Sequence, residues 1–248
     1  MSLTLVDGDI LVYRVGFACQ RKDEEVLSDR LACARMKETY NAIISANPGK
    51  DSRLYITSGD KSNFRNAIYP AYKANRVAAK PLLYDTLRSY MLNHLQAIEV
   101  FKQEADDALG IEATKVPGSV IASIDKDLDQ IPGIHYNFIK GFHYNVTPEE
   151  GLRFFYKQLL QGDLTDNIPG LPGIGPVKAE KALAKATSER HLYMAARAMY
   201  QKQYPDNWEA MMLLNGRLLK IRQYEDEVWD LPVLEETDEP ADSASVPA

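Results

Sequence analysis

Four short apolar runs, each followed by carboxylates, constrain this chain more than any other feature. Leu3-Thr4-Leu5-Val6 ends in Asp7-Gly8-Asp9, and residues 53–57 run into Gly59-Asp60. Residues 97–101 stop just before Glu104-Ala105-Asp106-Asp107, and residues 119–124 end at Asp125-Lys126-Asp127. Between them lie stretches with apolar residues at helical spacing. One covers 28–46, carrying Leu31, Ala34, Met36, Tyr40, Ile43 and Ile44, and Asn47-Pro48-Gly49 closes it; another covers 82–95. Strands that are apolar along their length and alternate with helices predict an α/β fold whose largely parallel sheet is flanked by helices. In such sheets the functional crevice lies beyond the carboxyl ends of the strands, where these acids fall. A weaker strand pair is read at 135–139 and 142–146.

The pattern changes after Val146. Thr147-Pro148-Glu149-Glu150 is a capping box with proline at the first helical position, and an amphipathic helix follows to Leu160. Then comes QGDLTDNIPGLPGIGPVKAEKAL, residues 161–183, followed by helices around 176–186, 188–202 and 206–223. A division is therefore expected near 146: a core over 1–146, a helical subdomain over 147–232, and an acidic tail over 233–248. The last fourteen residues hold five acids and no Lys or Arg; removing those five from a formal charge of −6 leaves −1 on the rest. The tail reads as disordered, serving solubility or a replication partner. Bulk charge therefore does not exclude a polyanionic ligand.

No apolar run reaches the roughly eighteen residues of a spanning helix. The first residues lack a basic leader, so no signal peptide is expected. Cys19 and Cys33 have no CxxC spacing, which fits buried thiols in a reducing cytoplasm. A monomer is expected.

The acids at the strand ends and in the 161–183 stretch are Asp7, Asp9, Asp60, Glu104, Asp106, Asp107, Asp125, Asp127, Asp163 and Asp166. Oxygen-rich clusters without histidine suit hard cations such as Mg²⁺ or Mn²⁺, often paired for phosphoryl chemistry. Each acid alone could equally cap a helix. A second set is basic and aromatic: Phe64, Arg65, Tyr69, Tyr72, Lys73 and Arg76, several at helix-compatible spacing. Its cations can hold phosphates and its tyrosines can stack on unpaired bases; a solvated helix face is the alternative. In the 161–183 stretch, Gly170, Gly173 and Gly175 would let backbone approach a phosphate, with Lys178 and Lys181 on one helix face.

Taken in order, the segments LVDGDILVYR, FRNAIYPAYKANR, EADDALG, SIDKDLDQI and GDLTDNIPGLPGIGPVKAEKAL resemble the motifs of the 5′-nuclease (flap endonuclease) superfamily. They are similar to the 5′-nuclease domain of bacterial DNA polymerase I and to the short 5′→3′ exonucleases of tailed phages. The resemblance spans residues 3 to about 185 and implies a PIN-like core, an arch region at about 61–95, and a helix–three-turn–helix subdomain that binds DNA. It implies one metal near Asp7, Asp60, Glu104 and Asp106. A second would lie toward Asp125, Asp127, Asp163 and Asp166, with Asp107 reaching a metal directly or through water. Lys73 and Arg76 would face the scissile phosphate, Tyr72 would stack on the terminal base, and a K⁺ ion would sit at the glycine hairpin. Asp9, where the family often carries a small residue, reads as a helix cap.

The expected activity is Mg²⁺-dependent hydrolysis of DNA at or near 5′ ends, flaps or nicks, in replication or repair, in a host cytoplasm if the chain is phage-encoded. Three other readings compete. VDGDI resembles the start of haloacid-dehalogenase-type phosphatases, though Leu11 departs from their pattern. RNA- or hybrid-cleaving PIN-like nucleases share the α/β core, and a non-catalytic scaffold could use the glycine hairpin alone.

Overall fold

The computed structural model describes residues 3–20, 26–49, 51–76 and 79–233, so the acidic tail beyond residue 233 lies outside the described residues. The chain opens with β1 (Leu3–Asp7), α1 (Gly8–Ala18), α2 (Asp29–Ser45), β2 (Asp51–Thr57), α3 (Phe64–Ile68), α4 (Tyr84–His94) and β3 (Ile98–Val100). It continues through α5 (Ala105–Lys115), β4 (Val120–Ala122), a 3₁₀ turn (Lys126–Gln130), β5 (Gly133–Asn137) and β6 (Phe142–Val146). Four helices finish it: α6 (Pro148–Gln161), α7 (Pro176–Leu183), α8 (Glu189–Gln203) and α9 (Trp208–Leu219).

The strands form one sheet in the order β3-β2-β1-β4-β5-β6. All neighbours are parallel except β5 and β6, which form an antiparallel hairpin. Alternation explains why the inner strands look uniformly apolar. Val6, Leu54, Ile56, Val120 and Ala122 pack on one face with α1, α2 and α4. Leu5, Tyr55, Val100 and Ile121 pack on the other with α5 and Ile221. A sheet covered on both faces has no polar side to show.

Helix α1 begins directly after β1 and was not read from the sequence. Gly8 permits this: a Cβ there would lie 2.3 Å from the Tyr55 carbonyl oxygen. Asp7 caps the helix, accepting from the Ile10 amide at 3.0 Å. The register pairs Asp7 with Tyr55 and Val6 with Ala122, so the carboxyl ends of β1, β2 and β4 lie level. The third and fourth strands are shorter than the apolar runs suggested, three residues each.

The Phe64–Arg76 segment is not one helix. Helix α3 stops at Ile68, because Tyr69 precedes Pro70 and adopts an extended conformation (φ −140°, ψ 97°). Tight turns carry the chain onward, and Lys73 sits at φ +56°. Beyond β6 the capping box forms as its residues require, with Thr147 and Glu150 exchanging bonds at 3.2 and 2.8 Å. Helices α6 to α9 surround their own apolar core, which includes Phe155, Leu159, Leu183, Tyr200 and Met212, and Tyr72 packs into it. Among the described residues, no helix is long and apolar enough to cross a membrane.

Candidate active site at the carboxyl edge of the sheet

Asp7, at the end of β1, is buried, and its second carboxylate oxygen accepts from the Ser123 hydroxyl at 2.6 Å. Ser123 in turn accepts from the Asp125 amide at 3.0 Å, which ties the ends of β1 and β4 together. Burial, with Asp9 adding repulsion, pushes the Asp7 carboxyl up to about 7. Asp9 is not the helix cap its position suggested, since Asp7 fills that role and Asp9 lies within the first turn of α1. It accepts from the Thr57 amide at 3.1 Å and from the Thr57 hydroxyl, and burial raises its carboxyl pKa. The same hydroxyl accepts from the Ala105 amide at 2.9 Å, so Thr57 joins α1 to the start of α5.

Asp106 is the most telling member. Its carboxylate is partly exposed and accepts no hydrogen bond from any described residue. Desolvation, reinforced by the charges of Asp7, Asp125 and Glu104, holds it well above the usual carboxylate range. Asp125 caps the 3₁₀ turn by accepting from the Asp127 amide at 3.0 Å, and burial raises its carboxyl too. Asp127 is pushed up to about 7 by burial and by the charges of Asp125, Asp163 and Asp166. Asp163 accepts from the Thr165 amide at 2.7 Å, which turns the loop and brings Asp166 round.

The segment 71–76 closes over these acids. The Lys73 amide donates to the Asp166 carbonyl at 2.9 Å, and the Asn75 side chain donates to the Leu164 carbonyl at 2.6 Å. Asn167 returns a bond to the Ala71 carbonyl at 2.7 Å. The Lys73 ammonium donates to Glu104 and lies 3.5 Å from Asp166; Arg76 pairs with the other oxygen of Asp166. Burial alone would lower the Lys73 pKa, but Glu104 and Asp166 outweigh it and the ammonium is held above its ordinary value.

Several sequence-derived roles are not supported by these positions. Arg65 is 2% exposed and cannot reach DNA. It forms a bidentate pair with Asp107 at 2.6 and 2.9 Å. Asp107 also accepts from the Glu104 and Arg222 amides, so four donors occupy its oxygens and none is left to face a cation. Burial would raise the Asp107 carboxyl, but Arg65 wins and holds it below the usual range. The guanidiniums of Arg65 and Arg222 lie 4.6 and 4.1 Å from the centre of the Phe64 ring. Tyr72 is buried with its hydroxyl 2.8 Å from Glu104 and 3.0 Å from Asp166, a brace rather than a stacking face. Tyr69 packs against the core of the helical region. Asp60 lies on an exposed loop, accepting from the Ser62 amide at 2.9 Å, which lowers its pKa. With Lys73 and Glu104 it lines a cavity of about 570 Å³.

The hairpin glycines divide into two pairs. Gly162 (φ +72°) and Gly170 (φ +58°) meet backbone to backbone; a Cβ on Gly170 would lie 2.2 Å from the Gly162 nitrogen. Gly173 (φ +72°) and Gly175 face open space, and Gly175 caps the start of α7. Lys178 and Lys181 are exposed on α7, and the Lys178 ammonium donates to the Gly173 carbonyl at 2.8 Å. A groove of about 700 Å³ joins Asp127 and Asp163 to this hairpin.

Among the described residues, no three acids converge as a ready-made coordination shell. The donor set nevertheless fits hard divalent cations: it is all oxygen, partly desolvated, and includes the bare Asp106 carboxylate. Sequence reasoning missed Ser123, Thr57 and Gln158, neutral side chains that hold Asp7, Asp9 and Asp127. Only the position of Ser123 and Thr57 at strand ends hinted at them.

A family model described as "5′-3′ exonuclease, N-terminal resolvase-like domain" matches residues 2–154. The chain belongs to this family. A flap endonuclease Xni of Shewanella woodyi is 30% identical over 246 residues, covering 89% of this chain and 93% of that protein. A 5′-3′ exonuclease of Buchnera aphidicola is 29% identical over 208 residues, 77% of this chain and 72% of its own. The T5 D15 protein co-crystallised with metal ions shares the fold at a TM-score of 0.66 and 17% identity, over 89% of this chain and 90% of that one. Family membership makes the chain a 5′ nuclease and sets aside the phosphatase and scaffold readings.

Proposed function

We propose that this 5′ nuclease hydrolyses phosphodiester bonds of DNA at or near 5′ ends and flaps, using two Mg²⁺ ions, with Mn²⁺ able to replace them. One ion would be held by Asp7, Asp106 and Glu104, the other by Asp125, Asp127, Asp163 and Asp166. The observation that carries this reading is the partly exposed Asp106 carboxylate, which desolvation and the neighbouring charges of Asp7, Asp125 and Glu104 hold well above the usual carboxylate range. Bound divalent cations supply Lewis-acid polarisation of the phosphate and an activated water.

The chain's own residues account for the rest. Lys73 and Arg76, now paired with Glu104 and Asp166, sit where they can turn to phosphate oxygens and offset their charge in the transition state. Ser123 and Thr57 keep Asp7 and Asp9 from rotating. The duplex would lie in the groove from Asp163 to the hairpin, with Gly173 and Gly175 near its backbone and Lys178 and Lys181 on its phosphates. A K⁺ ion on the hairpin carbonyls would compete with Lys178 for Gly173, so Lys178→Ala should change the K⁺ dependence of DNA affinity.

The division near residue 146 belongs to the same proposal: the sheet cuts and α6–α9 grip. End-labelled flap, nicked and blunt duplexes with Mg²⁺ test the function. Short 5′ products from the wild type and none from Asp125→Asn are expected; cleavage of RNA alone would favour the PIN-like ribonuclease reading.

A further inference from the structure

Asp127 is held by a chain of buried amides that the proposed reaction leaves unexplained. Gln158, on α6, donates from Nε2 to Asp127 Oδ1 at 2.8 Å. Its Oε1 accepts from Gln130 Nε2 at 2.7 Å. Gln130 also donates to the Leu219 carbonyl at 2.8 Å and accepts from the Ile221 amide at 3.1 Å. Both glutamines are almost fully buried, 2% and 3% exposed.

Backbone groups fix the direction of this chain. The Ile221 amide can only donate and the Leu219 carbonyl can only accept, so Gln130 has one orientation. Gln130 therefore presents N–H to Gln158, and Gln158 must present N–H to Asp127. An amide free to flip would offer Asp127 an oxygen half the time; this one is set.

The anchor is the strand of backbone leaving α9, and it serves the other half of the site as well. Arg65 donates to the Leu218 and Lys220 carbonyls at 2.8 Å each, and the Arg222 amide donates to Asp107 at 3.1 Å. Asp107 in turn holds the Glu104 amide at the head of α5. Every residue from Leu218 to Arg222 thus lends a backbone group to a side chain tied to the carboxylate edge.

We infer that residues 218–222 form a strap that sets the carboxylate edge, with Gln158 and Gln130 as positioning residues that aim Asp127 at its cation. The inference rests on the reading of Asp127 as a metal-binding carboxylate. Orienting hydrogen bonds to ligands typically change metal affinity or activity about 10- to 100-fold.

The test is calorimetric titration of the full chain with Mn²⁺, for the wild type, Gln158→Met, Asp127→Asn and the double variant. Methionine keeps the volume of Gln158 and leaves the Gln130–Leu219 bond in place. We expect Gln158→Met to weaken Mn²⁺ binding about 10-fold, and to have no further effect in the Asp127→Asn background. Unchanged Mn²⁺ affinity in Gln158→Met overturns the relay. An equal loss in both backgrounds of the cycle also overturns it, because the effect would then not pass through Asp127. Should the wild type bind no Mn²⁺, the metal reading of Asp127 fails instead.

Discussion

At the residue scale the proposed chemistry turns on Asp106 and Lys73. Lys73→Ala removes the ammonium that bridges Glu104 and Asp166. Cleavage at saturating Mg²⁺ should fall about 100-fold or more, read from single-turnover rates. Arg65 makes the opposite prediction from the one its sequence position suggests. Arg65→Ala strands a buried Asp107 carboxylate and should cost about 3–5 kcal/mol of stability by denaturant unfolding. A fully stable variant with weakened DNA binding would restore Arg65 to the DNA-contacting set. The acids were legible from sequence because carboxylates at four strand ends have few common explanations. The orientation of Arg65 and Tyr72 was not, since Pro70 breaks the helical spacing that placed them outward. Gln158 was hidden for another reason: its meeting with Asp127 depends on how α6 docks against the 3₁₀ turn.

At the scale of elements, the glycine hairpin should separate folding from the proposed DNA binding. Gly170→Ala combines a left-handed backbone with a 2.2 Å clash against Gly162 and should unfold the hairpin, lowering the melting temperature sharply. Gly173→Ala meets no neighbour within 4 Å, so it should cost only about 1 kcal/mol. Its larger effect should appear in DNA affinity. Lys181→Ala should weaken binding evenly across sequences and reduce the salt dependence by about one unit of slope. Sequence alone marked all these glycines as alike; only the close approach of residues 162 and 170 tells them apart. The strands and long helices were legible from periodicity, whereas α1 was obscured by its unbroken junction with β1.

At the scale of the whole molecule, the proposed metal site opposes stability. Asp7 and Asp127 are pushed up to about 7, above their unfolded value of 3.8. Their contribution is fully present below the unfolded pKa and is lost as pH rises through about 7. In chelator, the protein should therefore melt lower at about pH 8 than at about pH 5.5, and Asp127→Asn should flatten that slope. Added Mn²⁺ should raise the melting temperature most at the higher pH. The parallel sheet explains why so many acids line one edge: level strand ends bring β1, β2 and β4 there, while the loop after α6 adds Asp163 and Asp166. Anomalous diffraction from crystals soaked in Mn²⁺ tests this most directly. Two peaks are predicted, one among Asp7, Glu104 and Asp106 and one among Asp125, Asp127, Asp163 and Asp166; peaks elsewhere, or none at this edge, would contradict it.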